Sequence, residues 1–331
     1  MSSTDVNCGE GGGAYTYTNL RIASIFVIFA TSAIGSFFPV LARKSKWLKV
    51  PNAVFEFAKY FGSGVIVATA FIHLLSPALG ELGSPCLSSA WQAYPYPLAL
   101  AMLSLFGIFI VQIISFRWGM AKLAKLGIRP DVHGHGERLD AANSPDGASD
   151  GEKITSDVEE AQPEHFDDSA MAQVVGIFIL EFGILLHSLL IGLTLAVDPD
   201  FIVLFVVIVF HQMFEGLGVG SRLAFLRLQP KYNFIPFVAA LLYSISTPVG
   251  IIAGLGIRST YNPNSTTASI VSGVLDSLSA GILLYTGLVE LMAHEFLFSN
   301  EMNKASNGKL AYALCCMLFG TALMALLGKW A

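Results

Sequence analysis

Mostly apolar blocks recur along the chain, near Leu20 to Leu41, Ala53 to Leu75, Pro97 to Phe116, Ala170 to Val197, Phe201 to Phe225, Phe234 to Ile257, Ser269 to Phe296 and Leu310 to Leu327. A helix needs about 20 such residues to cross the hydrocarbon core of a bilayer. The pattern therefore predicts an all-α membrane protein with eight transmembrane helices. In 331 residues that leaves little room for a soluble domain. The first block is too long for a removable leader and lacks a small-residue cleavage site, so it reads as a true first span.

Composition agrees with lipid as the solvent. Hydrophobic residues make up 54% of the chain and charged residues only 13%, against about a quarter charged in a soluble domain. The formal net charge of -5 is modest and sits mostly in the loops, so nothing points to nucleic acid as a partner.

Short cytoplasmic loops collect Lys and Arg. Arg43, Lys44, Lys46 and Lys49 follow the first span, Arg117, Lys122, Lys125 and Arg129 the third, and Arg222, Arg227 and Lys231 the fifth. The intervening loops carry Glu81, Asp198, Asp200 and only Arg258. Both termini are thus expected outside the cytoplasm. The Asn264-Ser265-Thr266 sequon falls in an external loop on this reading, as weak support. Cys8 and Cys86 would share the oxidising side, where they either form a disulfide or stay as two thiols. Cys315 and Cys316, inside the eighth span, read as small packing residues.

The segment 119–169, between the third and fourth spans, is rich in Asp, Glu, Gly and Ser with Phe166 as its one aromatic residue. That composition predicts a mostly disordered cytoplasmic loop. It contains His133, His135 and His165, either a weak regulatory metal site or simply a solvated loop.

Ionisable groups inside the spans carry the chemistry. A charge at mid-bilayer costs roughly 2.5–3.5 kcal/mol on insertion scales, so such residues are functional candidates. His187 and Ser188 lie near the middle of the fourth span, and His211, Gln212 and Glu215 near the middle of the fifth. His211 and Glu215, four apart, share one helix face. With His187 at matching depth they offer two nitrogens and a carboxylate, a donor set typical of a zinc site with an open position. The alternative, interhelical hydrogen bonds for packing alone, is an expensive use of three such groups. Asp276, Glu290 and His294 recur on one face of the seventh span as a polar track, or Glu290, His294 and Glu295 form the solvated inner end of that helix. His73, placed near the outer end of the second span, is either the first ligand an incoming ion meets or an interfacial residue. Glu181, deeper toward the cytoplasm on the face of Ser188, could accept an outgoing ion.

The segments His187-Ser188-Leu-Leu-Ile-Gly192, His211-Gln212-Met-Phe-Glu215-Gly216 and Leu278-Ser-Ala-Gly281-Ile-Leu-Leu-Tyr285 resemble the signatures of the ZIP (Zrt/Irt-like) metal transporters. The likeness is strongest to the fungal plasma-membrane zinc uptake branch. The resemblance implies one transmembrane domain over residues 1–331 that takes up zinc or related divalent ions into the cytosol. His187, His211 and Glu215 match the primary transport site, and Gln212 and Ser188 the adjacent secondary positions. Members with a two-metal centre carry a carboxylate four residues after the fourth-span His, where this chain has Ile191. One principal ion per cycle is expected. The resemblance also implies that the first, fourth, fifth and sixth spans move against the rest.

Zinc is cargo on this reading, no cofactor is expected, and Fe(II) stays open as a second cargo, since imidazole suits both. The partners are divalent metal ions and the lipid bilayer, with a homodimer left open. The chain is not expected to be an enzyme: an intramembrane metalloprotease needs a His-Glu-x-x-His helix, and here Gln212 follows His211. No Walker-type loop is present for ATP coupling. A metal-sensing receptor would differ by binding metal without net flux.

Overall fold

The computed structural model describes residues 8, 12–44, 50–125, 168–226, 232–260, 262 and 265–330, with 116, 119–125, 168–176 and 300 described in backbone alone. Among the described residues, eight helices are long and apolar enough to cross a membrane: α1 Thr18–Lys44, α2 Asn52–Leu82, α3 Tyr96–Ser115, α4 Ile177–Val197, α5 Phe201–Phe225, α6 Ile235–Ile257, α7 Thr266–Leu297 and α8 Asn307–Leu327. Lipid offers no partner for backbone amides, so each apolar block closes its own hydrogen bonds as a helix. The expected eight spans are present. The helix of α3 runs on to Lys125 and that of α4 begins at Asp168, so helix enters both edges of the segment expected as a loop. Residues 126–167, with His133, His135 and His165, lie outside the described residues.

An even number of spans puts both termini on one side, here called the termini face. Between lipid-soluble helices there is no hydrophobic driving force, so close packing at small residues holds them together. The closest packings define two four-helix units. In the first, α4 and α6 meet at Gly192 and Gly250, where a Cβ on either would run into the other helix's backbone. Gly35 and Gly220 bring α1 and α5 together in the same way, and the Ser36 and Ser244 hydroxyls join α1 to α6 at 3.1 Å. In the second unit Gly64 and Gly320 seat α2 against α8, and Gly281 seats α7 against α3. Each unit has its own apolar cluster, around Ile28, Leu195, Phe201 and Ile251 in one and Tyr60, Ala313 and Cys316 in the other. Cys316 is thus a packing residue, while Cys315 is exposed.

The units meet along a shared cluster that includes Val40, Ile66, Leu180, Val219 and Leu283. Along this seam α2 and α5 touch backbone to backbone at Gly62 and Gly218. Two stretches depart from α-helix: Thr69–Leu75 within α2 and Thr286–Leu297 within α7 are π-helical. Such wide turns re-aim side chains and recur at functional sites. On the termini face, Cys8 and Cys86 form a disulfide.

Gly192→Val should cost about 1–3 kcal/mol by overpacking the α4–α6 contact, read as a lower midpoint of thermal unfolding in detergent. Gly107→Ala, with open space at its Cβ, should leave that midpoint unchanged or raised.

Candidate metal centre

His187 lies ten residues before the end of α4 (197 − 187) and His211 ten after the start of α5 (211 − 201). At 1.5 Å per residue both sit about 15 Å from the termini face, half-way through a hydrocarbon core of about 30 Å. Glu215 follows His211 by one helical turn, its Oε2 3.8 Å from His211 Nε2. One ligand atom from each of His187, His211 and Glu215 lies within 4.8 Å of the other two, and all three residues are buried. Among the described residues, both ring nitrogens of His187, Nε2 of His211 and both carboxylate oxygens of Glu215 have no hydrogen-bond partner. A buried unpaired polar group costs about 1–3 kcal/mol, so five such atoms in one place mark a cluster shaped for a cation.

Neighbouring groups fix this turn of α5. The Tyr243 hydroxyl on α6 donates to the Gln212 carbonyl at 2.6 Å. The Gln212 amide donates to Thr247 Oγ1 at 2.5 Å and to Ser188 Oγ at 3.4 Å, which leaves its own Oε1 unpartnered. Gln212, Ser188 and Thr247 thus form a neutral oxygen-rich patch beside the His/Glu cluster. Ile191 turns from it into the apolar cluster around Ile28 and Ile251.

The second unit contributes two groups to the edge of the cluster. Asp276 on α7 places Oδ1 3.8 Å from His187 Nδ1. His73 stands edge-on to His211, with ring centroids 4.7 Å apart, and its Nε2 lies 2.9 Å from the Met324 carbonyl. Sequence reasoning put His73 near the outer end of its span. In fact α2 continues seven residues past its apolar block, to Leu82 (82 − 75), so His73 lies at the depth of the cluster.

The ZIP Zinc transporter family pattern matches residues 18–328. The chain belongs to the ZIP zinc transporter family. Its relatives include Zinc-regulated transporter 1 of Schizosaccharomyces pombe, 39% identical over 371 residues covering 100% of this chain and 90% of that protein. Zinc-regulated transporter 1 of Saccharomyces cerevisiae is 40% identical over 343 residues, 97% of this chain and 90% of its own length. Fe(2+) transport protein 1 of Arabidopsis thaliana is 34% identical over 325 residues, 94% of this chain and 86% of its own. This ZIP chain is accordingly a multi-pass membrane transporter of metal cations, with a His/Glu cluster at mid-membrane.

The remaining candidates in this ZIP protein are scattered. Glu181 is buried in α4, its Oε1 unpartnered among the described residues. Glu290 accepts a hydrogen bond from Gln112 on α3, and His294 is exposed beside the Phe298 ring. The wide turns after Thr286 shift the phase of α7, so that Asp276, Glu290 and His294 face different neighbours. Glu295 takes the inward position instead. There it accepts from Arg222, whose other nitrogen donates to Ser63 Oγ at 2.5 Å, and Lys59 Nζ lies 3.4 Å away.

Arg222 was expected in the loop after the fifth span, yet it lies inside α5, eleven residues past His211. The Arg222–Glu295 pair joins the two units between the metal cluster and the face opposite the termini. Sequence reasoning missed it, although an Arg at the end of an apolar block was the available signal.

Glu295→Gln should leave the nearly buried Arg222 charge without its counter-ion, at about 3–5 kcal/mol. The exposed Glu301, 2.7 Å from Lys309, should change stability by at most about 1 kcal/mol when made Gln. Thermal unfolding of the two variants in detergent compares them directly.

Proposed function

We propose that this chain takes up zinc into the cytosol, one principal ion per cycle, with His187, His211 and Glu215 holding the ion at mid-membrane. The observation that carries the proposal is the convergence of these buried, unpartnered donors on two neighbouring helices of one unit. Bonds of about 2.0–2.1 Å in a tetrahedral zinc site put ligand atoms roughly 3.4 Å apart. The 4.8 Å limit seen here asks for a shift of about an ångström, within reach of side-chain rotation. Gln212 and Ser188 complete the shell with neutral oxygens. With Ile191 turned away and Asp276 beside His187 rather than grouped with Glu215, a second tightly held ion lacks its ligands among the described residues.

Asp276 and His73 flank the cluster from the facing unit, where they would take part in handing an ion to it. Glu181, and then Glu290 and His294 nearer the opposite face, offer oxygen and nitrogen to an ion on its way out. His133, His135 and His165 would add a secondary, regulatory metal site. The disulfide on the termini face fits an oxidising compartment, and the basic loops lie opposite. Both features support termini on the non-cytosolic side, extracellular in the plasma-membrane location that we propose. A doubly charged ion moving inward down about 100 mV gains roughly 4.6 kcal/mol, enough to drive uptake without ATP. Imidazole and carboxylate ligands also suit Fe(II), which should compete with zinc.

The test is uptake of radioactive zinc by proteoliposomes holding the full chain. An inside-negative potential should speed uptake, and His211→Ala or Glu215→Gln should abolish it. Binding without flux would make the protein a sensor instead.

Because a ligating imidazole must be neutral, uptake should also fall as the external medium is acidified. Zinc uptake that rises as the medium is acidified would count against imidazole ligation.

A further inference from the structure

The three donors of the metal cluster all belong to the unit of α1, α4, α5 and α6, and none is more than 1% exposed. An ion held there reaches either face only if this unit shifts against the unit of α2, α3, α7 and α8. Whatever ties the two units together outside the seam therefore governs the shift. Among the described residues, a covalent tie of this kind lies on the termini face.

The segment ahead of α1 is fastened to the first unit. Gly13 N–H donates to the Arg258 carbonyl at 2.8 Å, at the end of α6, and Ala14 N–H to the Val197 carbonyl at 2.9 Å, at the end of α4. Arg21, wholly buried, donates to the carbonyls of Thr16 at 2.8 Å, Leu195 at 2.7 Å and Asp198 at 2.6 Å. Its guanidinium also lies 4.5 Å over the Phe201 ring. A cation on the last carbonyls of a helix complements its dipole, so the anchorage is firm. Gly12 fits against the carbonyls of Arg258 and Ser259 with no room for a side chain.

Four residues upstream, Cys8 is bonded to Cys86, in the connection between α2 and α3 of the second unit. That connection is itself fastened to its own unit, since Thr266 Oγ1 at the start of α7 donates to the Cys86 carbonyl at 3.2 Å. Only residues 9–11 separate Cys8 from the anchored Gly12. Four chain steps of at most about 3.3–3.6 Å span about 14 Å. The Cα atoms of Cys8 and Cys86 are 5.3 Å apart. While the bond stands, Gly12 and Cys86 therefore cannot separate by more than about 20 Å.

We infer that the Cys8–Cys86 disulfide is a redox-sensitive clasp that limits how far the ion-carrying unit moves against its neighbour, and so holds down the maximal rate of transport. The inference rests on reading the chain as a carrier. An external phosphine opens the clasp by breaking the sulfur–sulfur bond. The phosphorus loses two electrons and takes the oxygen of one water molecule as phosphine oxide, and the two protons of that water go to the two thiols.

The experiment uses the full chain carrying Cys315→Ser and Cys316→Ser, reconstituted with the termini face outward. Initial zinc uptake is measured before and after treatment with a membrane-impermeant phosphine, followed by iodoacetamide capping and washing, so that no new thiol binds zinc. In parallel, Gly-Ser spacers of two and four residues are inserted before Gly12 with the disulfide kept. Opening the clasp should raise the maximal rate at least twofold, the two-residue spacer should give part of that rise, and the four-residue spacer nearly all of it. A rate unchanged or lowered by both treatments overturns the clasp and leaves the disulfide as an anchor for the tail. The spacer series carries the test even where Cys8→Ser or Cys86→Ser fails to reach the membrane. Absence of uptake from the untreated chain would sink the carrier reading instead.

Discussion

A polar atom inside hydrocarbon has to find a partner within the protein, and nearly every feature of this chain follows from that demand. It makes the apolar blocks helical, because only a helix satisfies its own backbone in lipid. It makes Tyr243 reach the Gln212 carbonyl and Gln212 reach Thr247 and Ser188. It also singles out what is left over. The imidazoles of His187 and His211 and the Glu215 carboxylate keep unpartnered atoms in the middle of the membrane, where packing alone would favour apolar residues of the same size. A divalent cation would answer that debt for all of them at once.

The same demand shapes how the helices meet. Since lipid tails are as apolar as the helices, association depends on close approach and on hydrogen bonds between helices. Glycines at the α4–α6, α1–α5, α2–α8 and α3–α7 contacts bring backbones together within each unit. Between the units the contact is different in kind: apolar side chains, one glycine pair, and the ion pair of Arg222 with Glu295. The candidate donors His187, His211 and Glu215 sit on one side of this seam and the flanking Asp276 and His73 on the other. On the proposed reading an ion at the centre would be held by one unit and covered by its neighbour, an arrangement suited to passing it across without opening a continuous channel.

Much of this was legible in the amino-acid sequence, for physical reasons. Apolar blocks report spans because bilayer thickness fixes their length. The His211–Glu215 pair was readable because one helical turn separates its members, and His187 because its depth matched on the next span. What stayed hidden depends on register or on partners remote in the chain. The helix of α2 runs on past its apolar block to Leu82 and the π-helical stretch of α7 breaks the regular phase, so the depth of His73 and the dispersal of Asp276, Glu290 and His294 could not be read from spacing. Arg222 and Glu295 are 73 residues apart, and a basic residue at the end of an apolar block reads as loop charge until the helix is seen to continue. The disulfide stood as one of two alternatives because sequence supplied only two cysteines on one side of the membrane.

The central claim is that one zinc ion rests among His187, His211 and Glu215. Diffraction from zinc-soaked crystals, recorded on both sides of the zinc absorption edge, tests it most directly. The account predicts a single anomalous peak within about 2.0–2.2 Å of a nitrogen of each histidine and an oxygen of Glu215. A peak elsewhere in the bundle with this cluster empty, or two peaks of equal strength side by side, would contradict it.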